Sequence, residues 1–240
     1  MAELPKTLEA AIAQAQTSTR SAIEAGVSRI IVDLAFPELQ IMPVAQQFYP
    51  LFQEMGVQFS VFFPDAGAAA LAKRDWDNPD FTIRGIGELR GQLSADDELF
   101  LVVEPSAVEV EQVEKLVENA LGRPVVILNP KLEDVAIIGI GYAGRQLRDR
   151  FLSTLETSYY LKPLDGAALH RAYPAGWQIW QEAVEGDYAL LAELPQRPSG
   201  EVLDRVLAGQ SADETEESAA PKSRKGFLGE LQQFIRALTQ

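Results

Sequence analysis

The chain has 240 residues, 47% of them hydrophobic, enough for a sizeable core and suited to one large domain or one domain with an appendage. It holds no cysteine and one histidine, His170, which excludes disulfides, thiolate nucleophiles, zinc–thiolate and iron–sulfur sites, and a multi-histidine metal centre within one chain. A formal net charge of −14 and a pI near 4.5 set it against phosphate backbones, so no nucleic-acid role is expected.

The opening Met1-Ala-Glu-Leu-Pro5 lacks the basic and apolar regions of a secretory signal. No apolar run approaches the ~18 residues that span a bilayer. A reducing, cytoplasmic location is the expectation. A first helix is predicted over 4–25, with Leu4, Leu8, Ile12, Ala15 and Ile23 at helical spacing and Gly26 to end it. Arg29-Ile-Ile-Val-Asp-Leu34 reads as a buried strand. A second helix is predicted over 40–55, with Ile41, Val44, Phe48 and Phe52 on one face and a kink at Pro50. Gln58 to Phe63 is the next strand, Ala66 to Lys73 a short helix, and Phe81 to Arg84 a short strand. Leu99-Phe-Leu-Val-Val103 is a continuous apolar strand. Ser106 and Glu109 then form a capping box for a helix carrying Val110, Val113, Val117 and Leu121. Gly122 and Pro124 stop it, and Val125-Val-Ile-Leu128 is another buried strand. Apolar strands alternating with helices imply an α/β fold, a mostly parallel sheet with flanking helices on both faces.

The pattern changes near residue 140. A helix is predicted from Arg145 to Leu155, followed by the segments Ser158–Lys162, Gly176–Trp180 and Tyr188–Ala192. The last two flank Glu185-Gly186-Asp187, a hairpin turn, so an antiparallel hairpin section extends the parallel one. One more short helix is expected over 200–208. This gives an α/β domain at 1–208, an acidic linker at 209–221 with a disordered composition, and a basic-led amphipathic helix at 222–240.

Gly139-Ile-Gly141-Tyr-Ala-Gly144 is a literal G-x-G-x-x-G after an apolar run and before a helix, with Asp165 about where a ribose-binding carboxylate would be sought. It reads either as a dinucleotide loop or as a flexible glycine turn into a helix. It stands late in the chain for a fingerprint that opens the first βαβ unit, and Asp165-Gly166 is also a plain turn signal. Several strands end alike: Asp33, Pro64-Asp65, Glu104-Pro105 and Asn129-Pro130. In a parallel sheet these ends share the edge where open α/β folds bind ligands, and Asp33, Asp65 and Glu104 together would offer hard oxygens to a divalent cation. Turn chemistry explains the same residues without a ligand. No metal or cofactor is assigned. His170 has no evident partner, and no Ser–His–Asp arrangement or nucleophile elbow is present. Arg145, Arg148 and Arg150 form a basic patch, with Arg145 and Arg148 on one helix face, placed to receive a phosphate or acidic surface or simply to pair with local carboxylates.

The C-terminal helix places Phe227, Leu228, Leu231, Phe234, Ile235 and Leu238 in one apolar stripe behind the basic lead Lys222, Arg224 and Lys225. Such a stripe suits an anionic membrane surface, a groove on a partner protein, or its own domain across the linker.

Four stretches carry a resemblance: Val32-Asp-Leu-Ala-Phe-Pro-Glu-Leu39, Gly141-Tyr-Ala-Gly-Arg-Gln-Leu-Arg-Asp-Arg-Phe151, Tyr159-Tyr-Leu-Lys-Pro163 and Tyr173-Pro-Ala-Gly-Trp-Gln178. Over about residues 4–195 the chain resembles an uncharacterised domain family of cyanobacteria and chloroplasts that includes the plant low photosystem II accumulation 3 protein and a copy fused to a chloroplast adenylate kinase. The resemblance implies an accessory role in photosystem II assembly, with assembly components as protein partners and no catalytic residues to carry over. It also implies relatives that keep the Tyr-Pro-x-x-Trp element without a full G-x-G-x-x-G, and the lack of a transit peptide fits the expectation of a cyanobacterial source. The leading expectation is therefore a non-enzymatic assembly factor, cytoplasmic or peripheral on the cytoplasmic face of the thylakoid membrane. The alternatives are a nucleotide- or phosphate-binding enzyme using the Gly139–Gly144 loop and the strand-end carboxylates, and a small acidic regulator.

Overall fold

A computed structural model describes residues 3–88, 93–132, 142–184 and 186–209. Helix α1 spans Leu8–Glu24 and starts where the Thr7 hydroxyl accepts from the Ala10 amide at 3.1 Å, a side-chain cap for an otherwise unpaired first-turn donor. Strand β1 is Arg29–Leu34. Its burial alternates, with Ile30, Val32 and Leu34 on one face and Ile31 and Asp33 on the other. The single helix predicted over 40–55 is divided into α2 (Ile41–Phe48) and α3 (Pro50–Glu54), because Pro50 has no amide to continue the ladder and so opens a new helix. Then come β2 (Phe59–Phe63), α4 (Ala66–Asp75), β3 (Thr82–Gly85), β4 (Leu99–Val103), α5 (Val110–Asn119) and β5 (Val125–Leu128).

The Glu109 carboxylate accepts from the Ser106 amide at 2.9 Å and its hydroxyl at 2.6 Å. Leu121 departs from expectation. It lies beyond the end of α5 in the left-handed region (φ 53°) and is 87% exposed, while Leu116 takes the core position. Extending the helical period past Asn119 misplaced it, because the chain unwinds there toward Gly122 (φ 88°).

Helix α6 covers Tyr142–Arg150 and stops well short of the predicted Leu155; a 3-10 turn at Leu152–Thr154 follows. Four strands come next: β6 (Glu156–Leu164), β7 (Ala167–Ala172), β8 (Trp177–Val184) and β9 (Asp187–Leu194), before a last helix, α7 (Gly200–Leu207). Strand β7 was not foreseen, and Asp165-Gly166 is the turn that joins it to β6. The helix expected over 222–240 and the linker beyond Gly209 lie outside the described residues.

The nine strands of the described residues form one sheet in the order β3-β2-β4-β5-β1-β6-β7-β8-β9. Neighbours from β3 to β6 run parallel and those from β6 to β9 antiparallel. This is the expected mostly parallel sheet with a C-terminal antiparallel extension. Helices α1 to α4 cover one face with a core that includes Ile12, Phe48, Phe52, Val61 and Val126. On the other face α5 and α6 cover β2, β4 and β5, with Val113, Leu116 and Phe151 packed against Phe100 and Ile127. Helix α7 packs separately over Tyr160, Trp177 and Ile179.

The Tyr173-Pro-Ala-Gly-Trp-Gln178 element is the β7–β8 turn. Its glycine is fixed by contact. A Cβ on Gly176 would lie 2.5 Å from the Leu194 carbonyl oxygen, and the Gly176 amide donates to Glu193 at 3.0 Å. Gly176→Ala is expected to force β9 away and lower stability by about 1–3 kcal/mol, the usual cost of overpacking. Urea denaturation checks it; an unchanged midpoint refutes the contact.

Candidate functional site at the carboxyl ends of β1 and β5

After β1 the chain passes along the α1–α4 face toward β2; after β5 it passes along the other face toward β6. Adjacent strands whose connections leave in opposite directions define a topological switch point, where the sheet edge opens into a crevice. A cleft of about 210 Å³ lies there. Ile31 and Asp33 from β1 and Thr157 and Tyr160 from β6 form its floor. Leu152, Leu155, Arg197 and Pro130-Lys131-Leu132 complete its lining.

Asp33 is the one predicted strand-end residue on this floor. Burial pushes its carboxyl above the usual range, opposed by the positive charges of Arg197, Lys162 and Lys131 in that order. Arg197 lies over the Tyr160 ring with its guanidinium carbon 4.5 Å from the centroid, and its Nη2 donates to the Tyr160 hydroxyl at 2.8 Å. The same group is 5.4 Å from the Trp177 ring. Tyr160 thereby holds one face of the guanidinium, and its own hydroxyl is raised in pKa chiefly by burial.

The sheet register extends this floor. Asp33 pairs with Tyr160, Tyr160 with Arg171, Arg171 with Trp177, and Trp177 with Leu194, so all five share one face in one row. Arg171 is bound to Glu156 through Nη2, and its Nε is buried without an acceptor among the described residues.

The other predicted edge residues have separate employments. Asn129, just past β5 with φ 48°, accepts from the Leu34 amide at 3.0 Å and donates to the Leu34 carbonyl at 2.8 Å, so its side chain prolongs the β1–β5 ladder. Asp65 caps α4 by accepting from Ala68 at 2.9 Å. It follows β2, three strand spacings from β1, or about 14 Å at the usual ~4.8 Å. Glu104 pairs with Lys131 at 2.5 Å. Among the described residues no group of three carboxylate or histidine side chains converges as a metal site, so Asp33, Asp65 and Glu104 do not form the cation cluster that their shared edge invited.

Gly139 and Gly141 lie outside the described residues. Gly144 is buried in α6, Arg145 is exposed and Arg148 half-buried. Arg150 makes the bidentate pair with Glu114 of α5, at 2.7 and 2.9 Å. Phe227, Leu228, Leu231, Phe234, Ile235, Leu238, Lys222, Arg224 and Lys225 lie outside the described residues.

His170 does have partners, under α1 on the opposite face. Its Nε2 is 2.9 Å from Gln14 Oε1 and its Nδ1 is 3.1 Å from Gln178 Oε1. The Tyr159 hydroxyl donates to the same Gln14 oxygen at 3.1 Å. Burial raises the Tyr159 pKa far above its ordinary value and lowers that of His170, the Gln178 contact opposing the second shift. Sequence reading missed Tyr160, Lys131 and Arg197. Tyr160 stood inside a quoted motif, and Arg197 follows β9 in Gln196-Arg197-Pro198 without any pattern to single it out.

The fold and crevice together define an open α/β domain wound on both faces, with a switch-point cleft and an antiparallel extension. Within that class the chain belongs to the family described as Domain of unknown function (DUF1995), which matches residues 5–205. Asp33, Lys131, Tyr160 and Arg197 all fall inside the match. Among the described residues no helix is long and apolar enough to cross a membrane.

Two pH effects are expected. The raised Asp33 pKa means that the ionised carboxylate costs stability above its folded pKa, a cost that disappears as pH falls through that value toward 3.8. Asp33→Asn should therefore raise Tm at pH 7, with the gain shrinking on acidification; a variant less stable than wild type at pH 7 contradicts this. The lowered His170 pKa has the opposite consequence. Stability is full above 6.5 and declines as pH falls from there through the lower folded value. His170→Gln, compared with wild type over that range in urea titrations, should lose this component; identical pH slopes would exclude it.

Proposed function

We propose that this protein is a non-enzymatic accessory factor that works by protein contact in photosystem II or thylakoid biogenesis. The observation that carries the contact part is the outer edge of β9. This eight-residue strand is the last in the sheet, so one side of its backbone has no strand partner among the described residues. Leu190 and Leu191 on it are 44% and 42% exposed, and Val184 at the preceding turn is 69% exposed. An open, leucine-bearing edge offers backbone hydrogen bonds and apolar side chains to an added strand. The resemblance to the domain of the low photosystem II accumulation 3 protein supports the photosystem part; the family match supports the domain alone. The basic-led apolar stripe over 222–240 supports a peripheral place on the cytoplasmic face of the thylakoid.

Affinity purification of the tagged full-length protein from solubilised thylakoids tests this. Photosystem II assembly components are expected to co-purify. They should be lost from the Leu190→Lys/Leu191→Lys double variant, whose exposed sites cost the fold little. Unaltered recovery would remove β9 from the account, and recovery of no photosystem component would remove the photosystem role. Deleting residues 222–240 should move the protein from the membrane to the supernatant fraction; an unchanged distribution rejects the peripheral-helix part.

A further inference from the structure

The cleft at the β1–β5 switch point has the parts of a ligand site that protein contact at β9 does not use. The chain carries a net charge of −14, yet three cationic side chains, Lys131, Lys162 and Arg197, act on the floor of this cleft. Arg197 is held in place by Tyr160 and Trp177, and its bond to the Tyr160 hydroxyl uses one of five guanidinium N–H groups. A fixed guanidinium is a pre-organised receptor for a planar or tetrahedral oxyanion. Opposite it stands Asp33, a desolvated carboxylate that can accept from a hydroxyl. Leu152, Leu155 and Ile31 give the lining an apolar part.

Size limits the ligand. A cleft of about 210 Å³ is below the ~300–1,000 Å³ of drug-sized sites, so its volume suits a small metabolite. We propose that this cleft binds a small hydroxylated organic anion, its carboxylate or phosphate group held by Arg197 and by the ammonium donors of Lys131 that its pair with Glu104 leaves over, and its hydroxyl donated to Asp33. The site is separate from the β9 edge, so the two can fail independently.

The test uses the full chain and thermal denaturation at pH 7. Glycerol 3-phosphate and glycerate are the anionic probes, with glycerol as the uncharged control and sodium chloride at matched ionic strength to remove general screening of the acidic chain. A concentration-dependent rise in Tm with at least one anionic probe, beyond that with sodium chloride and absent with glycerol, is expected. Lys131→Met and Arg197→Met should each weaken the apparent affinity by roughly tenfold or more, the usual effect of losing one charged hydrogen bond. Lys131 is largely exposed, so its variant tests the site even if Arg197→Met is unstable. Asp33→Asn should reduce the advantage of glycerate over its deoxy analogue lactate. The proposal is overturned if neither anion raises Tm beyond sodium chloride, or if the rise survives Lys131→Met unchanged.

Discussion

The arrangement of both faces depends on one extra residue in β6. Ile31 of β1 pairs with Thr157, but the next residue, Val32, pairs with Tyr159. Ser158 is therefore bulged out of the parallel ladder. It is fully buried, its hydroxyl donates to the Ile31 carbonyl at 3.3 Å and meets the Thr19 hydroxyl of α1 at 3.2 Å. Side chains alternate between faces, so one inserted residue decides the orientation of everything after it. With the bulge, Tyr159 enters the core under α1 and Tyr160 faces the cleft beside Asp33. Without it the two tyrosines would exchange faces. Gln14 would lose its phenol partner and Arg197 its aromatic seat.

Strand β6 also converts one sheet into two kinds. It runs parallel to β1 and antiparallel to β7, so the crossover from β5 must pass over β1 to reach its far side. That crossover creates the switch point, and the hairpins that follow bring Trp177 and the segment with Arg197 back over the opened floor. The opposite face receives a different treatment. There α1 covers the buried His170, which is bonded to the buried Gln178, whose amide donates to the exposed Glu193 at the level of Leu161. The polar groups under α1 answer one another, which suits a structural role. Asp33 on the cleft face receives cationic charge instead and remains energetically costly, which suits a site awaiting a ligand.

The parallel half of the fold was legible because β2, β4 and β5 are buried on both sides and β1 is fully buried on one. Arg29–Leu34, Leu99–Val103 and Val125–Leu128 stand in the sequence as apolar runs and match the observed strands residue for residue. Strand β7, Ala-Ala-Leu-His-Arg-Ala, was not legible. It is short of β-branched residues, and its buried His170 and half-buried Arg171 owe their places to Gln14, Gln178 and Glu156, which come from elsewhere in the chain. The strand-end pattern brings these residues to one edge of the sheet but does not sort them. Asn129 and Asp65 answer backbone needs, and only strand order reveals that Asp65 is remote from Asp33. Arg197 is joined to the cleft solely by tertiary contact, so no local spacing announces it.

An open edge on β9 invites self-association, and the chain carries its own counter-measure. Edge strands are protected when charge opposes pairing with a second copy. Two copies meeting at β9 would bring together domains of the same strongly negative charge, with Asp187 and Glu193 on both approaching strands. Lys6 offsets Asp187 at 3.0 Å, but both side chains are mostly exposed, where such a pair contributes little. The same repulsion that discourages a second copy leaves backbone hydrogen bonds and the exposed leucines available to a strand of neutral or basic character. The edge thus selects against its own kind while remaining open to a different partner.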